Sequence, residues 1–275
     1  MSTRPLTTPH ASVRIYSDPE ELALKAARRF ARLADQYVVG CGRFTVALSG
    51  GSTPRAMFSL VAAHPFADTV PWSSIYFFWG DERCVPPDHP DSNYRMAHET
   101  LLSRVPVPAN NIFRIVAEAP QPQRAAQEYS STLMRFFSLG EGARNTGTAS
   151  LVNFPRFDLV FLGMGPDGHT ASLFPHSPAL RAETEIVVAN YVEKFKANRI
   201  TLTAATINNA RNVTFLAAGE DKAEALTNVL EGPDEPDLYP SQMIRPANGT
   251  LLWMVDEAAA SLLKKSNSDG QDAQD

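Results

Sequence analysis

The chain has 275 residues, 44% of them hydrophobic, and a formal net charge of −5. That length and apolar content suffice for one large core, and the mild acidity gives no global attraction for nucleic acid or for an anionic membrane. Only two cysteines occur, Cys41 and Cys84, outside any zinc-ligand spacing, which argues against a disulfide framework and for a reduced, cytoplasmic setting.

Residues 1–10 are polar and proline-containing, and they lack the apolar centre of a signal peptide. No apolar run nears the roughly 20 residues of a membrane span, so a soluble protein is expected. Asp18-Pro19-Glu20-Glu21 signals a helix start, with Asp18 as N-cap and Pro19 at the first helical position. Leu22, Ala26, Phe30 and Leu33 carry that helix onward. Residues 43–49 predict a buried strand, and Thr53-Pro54 opens a helix with Met57, Leu60 and Val61 on its inner face. A strand at 75–79 follows, then a helix at 91–104 capped by Asp91 or Ser92. A short strand at 112–116 and a helix at 123–137, anchored by Tyr129, Leu133, Phe136 and Phe137, come next. The polar, glycine-containing 140–153 reads as an exposed inserted loop before an apolar strand that starts at Phe157. Further strands are predicted at 186–189, 199–202, 213–217 and 250–255, with helices at 203–210, 221–230 and 256–265. Residues 266–275 have the composition of a disordered tail, leaving 1–265 as a single α/β domain without internal repeats.

Strands that alternate with helices and are apolar throughout predict a mostly parallel sheet covered on both faces. Ligands of such sheets gather at the carboxyl ends of the strands. Three loops should therefore meet there: 49–54, 80–87 and 163–175.

The first loop, Ser49-Gly50-Gly51-Ser52-Thr53-Pro54, runs from a strand into a helix. Glycines allow close backbone approach to an anion, and a helix N-terminus supplies free amides and a favourable dipole. Ser49, Ser52 and Thr53 add hydroxyls. The loop lacks the Gly-Lys-Ser/Thr ending of a nucleotide P-loop, and an ordinary strand–turn–helix junction is the plain alternative. Ala47-Leu48-Ser49-Gly50-Gly51 also falls one glycine short of a nucleophile elbow, which raises a serine hydrolase using Ser49 and His169. The absence of any histidine after His176 counts against it.

In the second loop Gly80-Asp81-Glu82-Arg83-Cys84 follows a strand directly. Arg83 can fork onto a phosphate, and Asp81 or Glu82 can hold sugar hydroxyls; a solvated turn is the plain alternative. The third loop, Gly163-Met164-Gly165-Pro166-Asp167-Gly168-His169-Thr170-Ala171-Ser172-Leu173-Phe174-Pro175, presents an Asp-x-His pair on a tight turn. A carboxylate there can orient an imidazole that moves protons. Its glycines mimic the dinucleotide fingerprint. Pro166 and Pro175 leave no room for the required helix, however, and the acids Glu183 and Glu185 precede the next strand rather than end it. Two later cations stand out. Arg199 begins a strand, and Lys222, in the first turn of a predicted helix, opposes the helix dipole in a way a bound phosphate would offset. The histidines show no ligand spacing, so neither a metal nor another cofactor is expected.

In this order, the segments Leu48–Pro54, Trp79–Arg83 with Asp91–Tyr94, Gly163–Pro175, Arg199–Thr201 and Gly219–Lys222 resemble the 6-phosphogluconolactonase family over about residues 18–264. The resemblance implies a modified doubly wound α/β sheet like that of glucosamine-6-phosphate deaminases. It also implies hydrolysis of 6-phospho-D-glucono-1,5-lactone to 6-phospho-D-gluconate, the second step of the oxidative pentose phosphate pathway. In the deaminases the stretch after the histidine runs toward Phe-Asn-Glu-Pro; Thr170-Ala171-Ser172-Leu173-Phe174-Pro175 is the lactonase form. The insertion at 140–153 is the clearest departure.

A cyclic ester needs no covalent nucleophile. His169 is the expected base for water, with Asp167 orienting it or contacting the sugar. Backbone amides of the glycine turns, Gly165 among them, would meet the oxyanion. Ser49, Gly50, Gly51, Ser52, Thr53, Arg83, Arg199 and Lys222 would hold the phosphate, and Asp81 a hydroxyl. The protein is expected to act as a monomer on a small-molecule sugar phosphate lactone. Glucosamine-6-phosphate deamination and non-catalytic sugar-phosphate sensing are the rival readings.

Overall fold

The computed structural model describes residues 11–139 and 154–264. The expected loop at 140–153 and tail at 266–275 lie outside the described residues.

Six strands form a parallel sheet in the order β1-β9-β8-β5-β2-β3. They are β1 (Ala11–Tyr16), β2 (Phe44–Leu48), β3 (Ile75–Trp79), β5 (Leu159–Gly163), β8 (Asn212–Ala217) and β9 (Thr250–Asp256). Every residue of β2 and β8 is buried, as unbroken apolar strands require when both faces are covered. The chain steps from β2 outward to β3, then returns to the other side of β2 and continues through β5 and β8. The crevice where winding reverses, between β2 and β5, is where such sheets take ligands.

The helix α1 (Pro19–Cys41) starts as its sequence predicts. Asp18 accepts a hydrogen bond from Glu21 N at 2.7 Å, Pro19 opens the helix, and Gly42 closes it at φ 74°. Its apolar stripe, from Leu22 to Ala34, packs on the sheet beside α2 (Ser52–Val61) and the short α3 (Phe66–Thr69). α4 (Asn93–Ala97) is capped by the Ser92 hydroxyl and passes into a wider turn at His98–Leu102, so the helix predicted at 91–104 is split. α5 (Pro122–Phe136) covers a second sheet, and α6 (Ala204–Asn208) and α7 (Ala223–Glu231) follow β7 and β8.

The second sheet was not expected. β4 (Asp81–Arg83), β7 (Ala197–Leu202) and β6 (Val187–Val192) pair antiparallel in the order β4-β7-β6. The strands predicted at 186–189 and 199–202 belong here rather than to the main sheet, and the charged loop after β3 is its edge strand. Two other expectations fail locally. Residues 112–116 make only a bridge from Ile112 to Phe77. The helix predicted at 256–265 is a set of turns over its described residues, although the buried Asp256 carboxylate accepts from Ala259 N at 2.8 Å as an N-cap does and also ties down Gly219 N.

Candidate active site

A cavity of about 220 Å³ opens at the reversal crevice. The structure brings to it Ser49, Gly50, Gly51, Ser52, Thr53, Asp81, Arg83, Gly165, His169, Arg199 and Lys222, all of them expected from sequence. Asp167 stands behind His169 rather than in the wall.

The loop after β2 runs straight into α2. Gly51 is the N-cap at φ 111°, no side chain caps the helix, and its first amides stay available to an anion. A Cβ at Gly50 would fall 2.0 Å from Asn93 Oδ1, so any larger residue there displaces that amide. Asn93 itself lines the cavity, and its Nδ2 donates to the Asp81 carbonyl at 3.0 Å. Sequence reading treated 91–94 mainly as a helix start. The Ser92 cap was legible there, but the inward amide of the next residue carries no local signal.

Arg83 and Arg199 sit directly opposite one another on β4 and β7. Like charges in cross-strand register are unfavourable without an anion between them. The Nε atoms of both arginines, and Ser49 Oγ, are buried without a hydrogen-bond partner among the described residues. Arg83 Nη1 donates to the Asp91 carbonyl at 2.6 Å, which fixes the side chain while leaving Nε free. Arg199 lies over the rings of Phe174 and Phe195, 5.5 and 4.8 Å from their centroids. Burial pushes its guanidinium below the ordinary value, against the charge of Asp81.

Two expectations change in detail. Glu82 does not face the substrate side. Its carboxylate accepts from Ser92 Oγ, Asn93 N and Tyr94 N, and so holds the start of α4. Lys222 lies in a short turn, Glu220–Lys222, ahead of α7 rather than inside the helix, and pairs with Asp221 at 2.5 Å. Its charge therefore already has a partner, although the side chain also lines the cavity.

On the facing wall, the turn after β5 gives Gly165 and His169. No helix begins within 163–168, which removes the dinucleotide reading on structural grounds as well. Gly165 makes room for the imidazole: a Cβ there would lie 2.1 Å from the His169 ring. The ring stacks on Phe174 at 4.0 Å between centroids, and its Nδ1 bonds to Asp167 Oδ1. Asp167 Oδ2 accepts from Lys194 Nζ at 2.9 Å. Burial alone would raise the Asp167 carboxyl, but the bonds and charges of His169 and Lys194 outweigh it and hold the group well below the usual carboxylate range. Asp167 is thus a fixed negative charge on Nδ1, and Nε2 is left as the free basic atom. Lys194 is a site residue that sequence reading missed. It sits at the tip of the β6–β7 hairpin, where a run of exposed charges marks only a turn.

Among the described residues Ser49 Oγ has no bond to a base, so they assemble no nucleophile–base pair around it.

The glucosamine-6-phosphate isomerase/6-phosphogluconolactonase family model matches residues 17–253. A 6-phosphogluconolactonase of Synechocystis sp. is 41% identical over 81% of this chain and 86% of its own. Another, of Nostoc sp., is 40% identical over 92% of this chain and 98% of its own. The solved 6-phosphogluconolactonase of Trypanosoma cruzi superposes with a TM-score of 0.80 at 27% identity, covering 94% of this chain and all 100% of that one.

Proposed function

The chain belongs to the family of glucosamine-6-phosphate isomerases and 6-phosphogluconolactonases, and from that footing we propose that it hydrolyses 6-phospho-D-glucono-1,5-lactone to 6-phospho-D-gluconate with His169 as general base. One observation carries the reading. The same cavity holds two facing arginines with Nε atoms unpartnered among the described residues and, on its other wall, a histidine oriented by a carboxylate.

The phosphate sits between Arg83, Arg199 and the uncapped start of α2, with Ser49, Ser52 and Thr53 as hydroxyl donors and Lys222 at the rim. Asp81 and Asn93 take sugar hydroxyls. The lactone carbonyl then lies toward His169. Nε2 takes a proton from water, and the hydroxide oxygen bonds to the carbonyl carbon. Amides of the glycine turns, including Gly165, meet the developing oxyanion. The intermediate collapses by breaking the bond from that carbon to the ring oxygen, and the imidazolium returns its proton there. The negative Asp167 stabilises the imidazolium between these steps, and Lys194 holds Asp167 in place.

The names of the two relatives favour the lactonase over the deaminase branch of the family. The test is acceleration of lactone hydrolysis above its spontaneous rate by purified protein. Replacing His169 with Ala is expected to lower kcat by about 10²–10⁴-fold. Near-normal turnover by that variant overturns the base assignment, and ammonia release from glucosamine 6-phosphate without lactone turnover overturns the activity.

A further inference from the structure

A second, larger cavity, of about 330 Å³, opens where α1 crosses β1 and β9. It shares no lining residue with the first. Four cations of α1 line it: Lys25, Arg28, Arg29 and Arg32. Their spacing of i, i+3, i+4 and i+7 puts them in one stripe, where every adjacent pair repels. Arg14 of β1 adds a fifth charge, and Tyr16, Leu252 and Met254 supply an apolar floor.

Elsewhere the helices and loops pair their arginines at this spacing, as in Arg95–Glu99, Arg114–Glu118 and Arg124–Glu128. Among the described residues no acidic side chain lines the cavity, and Arg28, Arg29 and Arg32 make no ion pair with a carboxylate. Arg29 is held in the cavity wall by neutral groups only. Its Nε donates to Thr214 Oγ1 at 3.0 Å, and one terminal nitrogen donates to Asn212 Oδ1 at 3.4 Å. Burial, then Arg32 and Arg14, push its guanidinium down to about 10, so it stays charged at neutral pH. A chain of net charge −5 thus gathers four cations of one helix in a concavity that no acidic side chain lines among the described residues.

We propose that this cavity binds a small, multiply charged phosphate-bearing anion, at a site separate from the lactone. Guanidinium forks match phosphate oxygens. The concave shape, with cations converging on one volume, suits a small molecule. An extended polyanion would meet the repulsion of the overall negative charge.

Calorimetric titration of the full chain at about 0.15 M salt with inorganic tripolyphosphate and with ATP tests this. Binding is expected to weaken on the order of tenfold or more in an Arg28→Ala/Arg32→Ala variant, with lactone turnover unchanged. Both side chains are exposed, so the fold should survive their loss. An Arg83→Ala/Arg199→Ala variant is expected to retain the binding. Tighter binding of ATP than of tripolyphosphate identifies an organic ligand that uses the apolar floor, and equal binding identifies an inorganic one; either supports the site. Three results overturn it: no binding to the unaltered chain, equal affinity in the Arg28/Arg32 variant, or loss of binding only in the Arg83/Arg199 variant.

Discussion

Replacing Asp167 with Asn keeps the size of the side chain but removes the charge that faces His169 Nδ1 and Lys194 Nζ. The imidazolium formed during turnover then loses its counter-charge, and the amide can present its NH2 to Nδ1 and favour the other tautomer. Turnover is expected to lose a large part of the roughly 10²–10⁴-fold that a general base provides, while KM changes little, because the phosphate contacts lie on the opposite wall. A fall in KM-controlled binding with kcat preserved would instead assign Asp167 to a sugar hydroxyl. The same carboxyl has a pH signature. Its folded value is depressed, so its contribution to stability is present above the unfolded carboxylate range near about 4 and is lost as pH falls through the folded value. The stability gap between the parent and Asp167→Asn, read from urea midpoints, should narrow as pH drops below about 4. The Asp167–His169 pair was legible because two residues of one turn carry it. Lys194 was not, since it reaches Asp167 from 27 residues away and nothing near it in the chain marks the contact.

At the scale of elements, the turn after β5 depends on an absent side chain. Adding a methyl at Gly165 puts carbon 2.1 Å from the His169 ring, and the imidazole must leave its stack on Phe174. A displacement near 1 Å can cost about 10²-fold in rate. Gly165→Ala is therefore expected to lower kcat by roughly that factor while leaving phosphate affinity close to the parent value, measured by inhibition with 6-phosphogluconate. Unchanged kcat would show that the ring has another productive position. The elements that carry these loops were readable wherever burial is complete on both faces, as in β2, β8 and residues 159–162 of β5, because an unbroken apolar run has few other solutions. β1 was missed: Ser12-Val13-Arg14-Ile15-Tyr16 is short and largely exposed, and among the described residues it lies at the sheet edge, paired to β9. β4 was not readable either. Its three residues are two acids and an arginine, and their burial depends on Ser92, Asn93, Tyr94 and Ser172, partners that no local pattern announces.

For the whole molecule, the site exists because two sheets meet. The parallel sheet supplies the glycine loops and His169, the antiparallel sheet supplies Asp81, Arg83 and Arg199, and one buried residue ties the turn after β5 to all three strands of the second sheet. Ser172, on the turn after β5, donates from Oγ to Asp81 Oδ2 of β4 at 2.6 Å. Its carbonyl accepts from Asn190 of β6 at 2.9 Å, and its amide donates to Thr201 Oγ1 of β7 at 3.2 Å. In the sequence, the stretch from Thr170 to Pro175 served only to separate two branches of a family, and its physical task became visible once the second sheet was known. Ser172→Ala removes the hydroxyl and leaves the Asp81 carboxylate, itself buried, with the longer 3.3 Å bond from Asn93 Nδ2. An unpaired buried acceptor costs about 1–3 kcal/mol, more when charged. The variant is expected to lose stability of that order in urea unfolding. It should also raise KM more than it lowers kcat, because Asp81 and the neighbouring arginines bind substrate while His169 is held independently by Asp167 and Phe174. An unchanged unfolding midpoint would mean that water replaces the hydroxyl and that the seam does not depend on this residue.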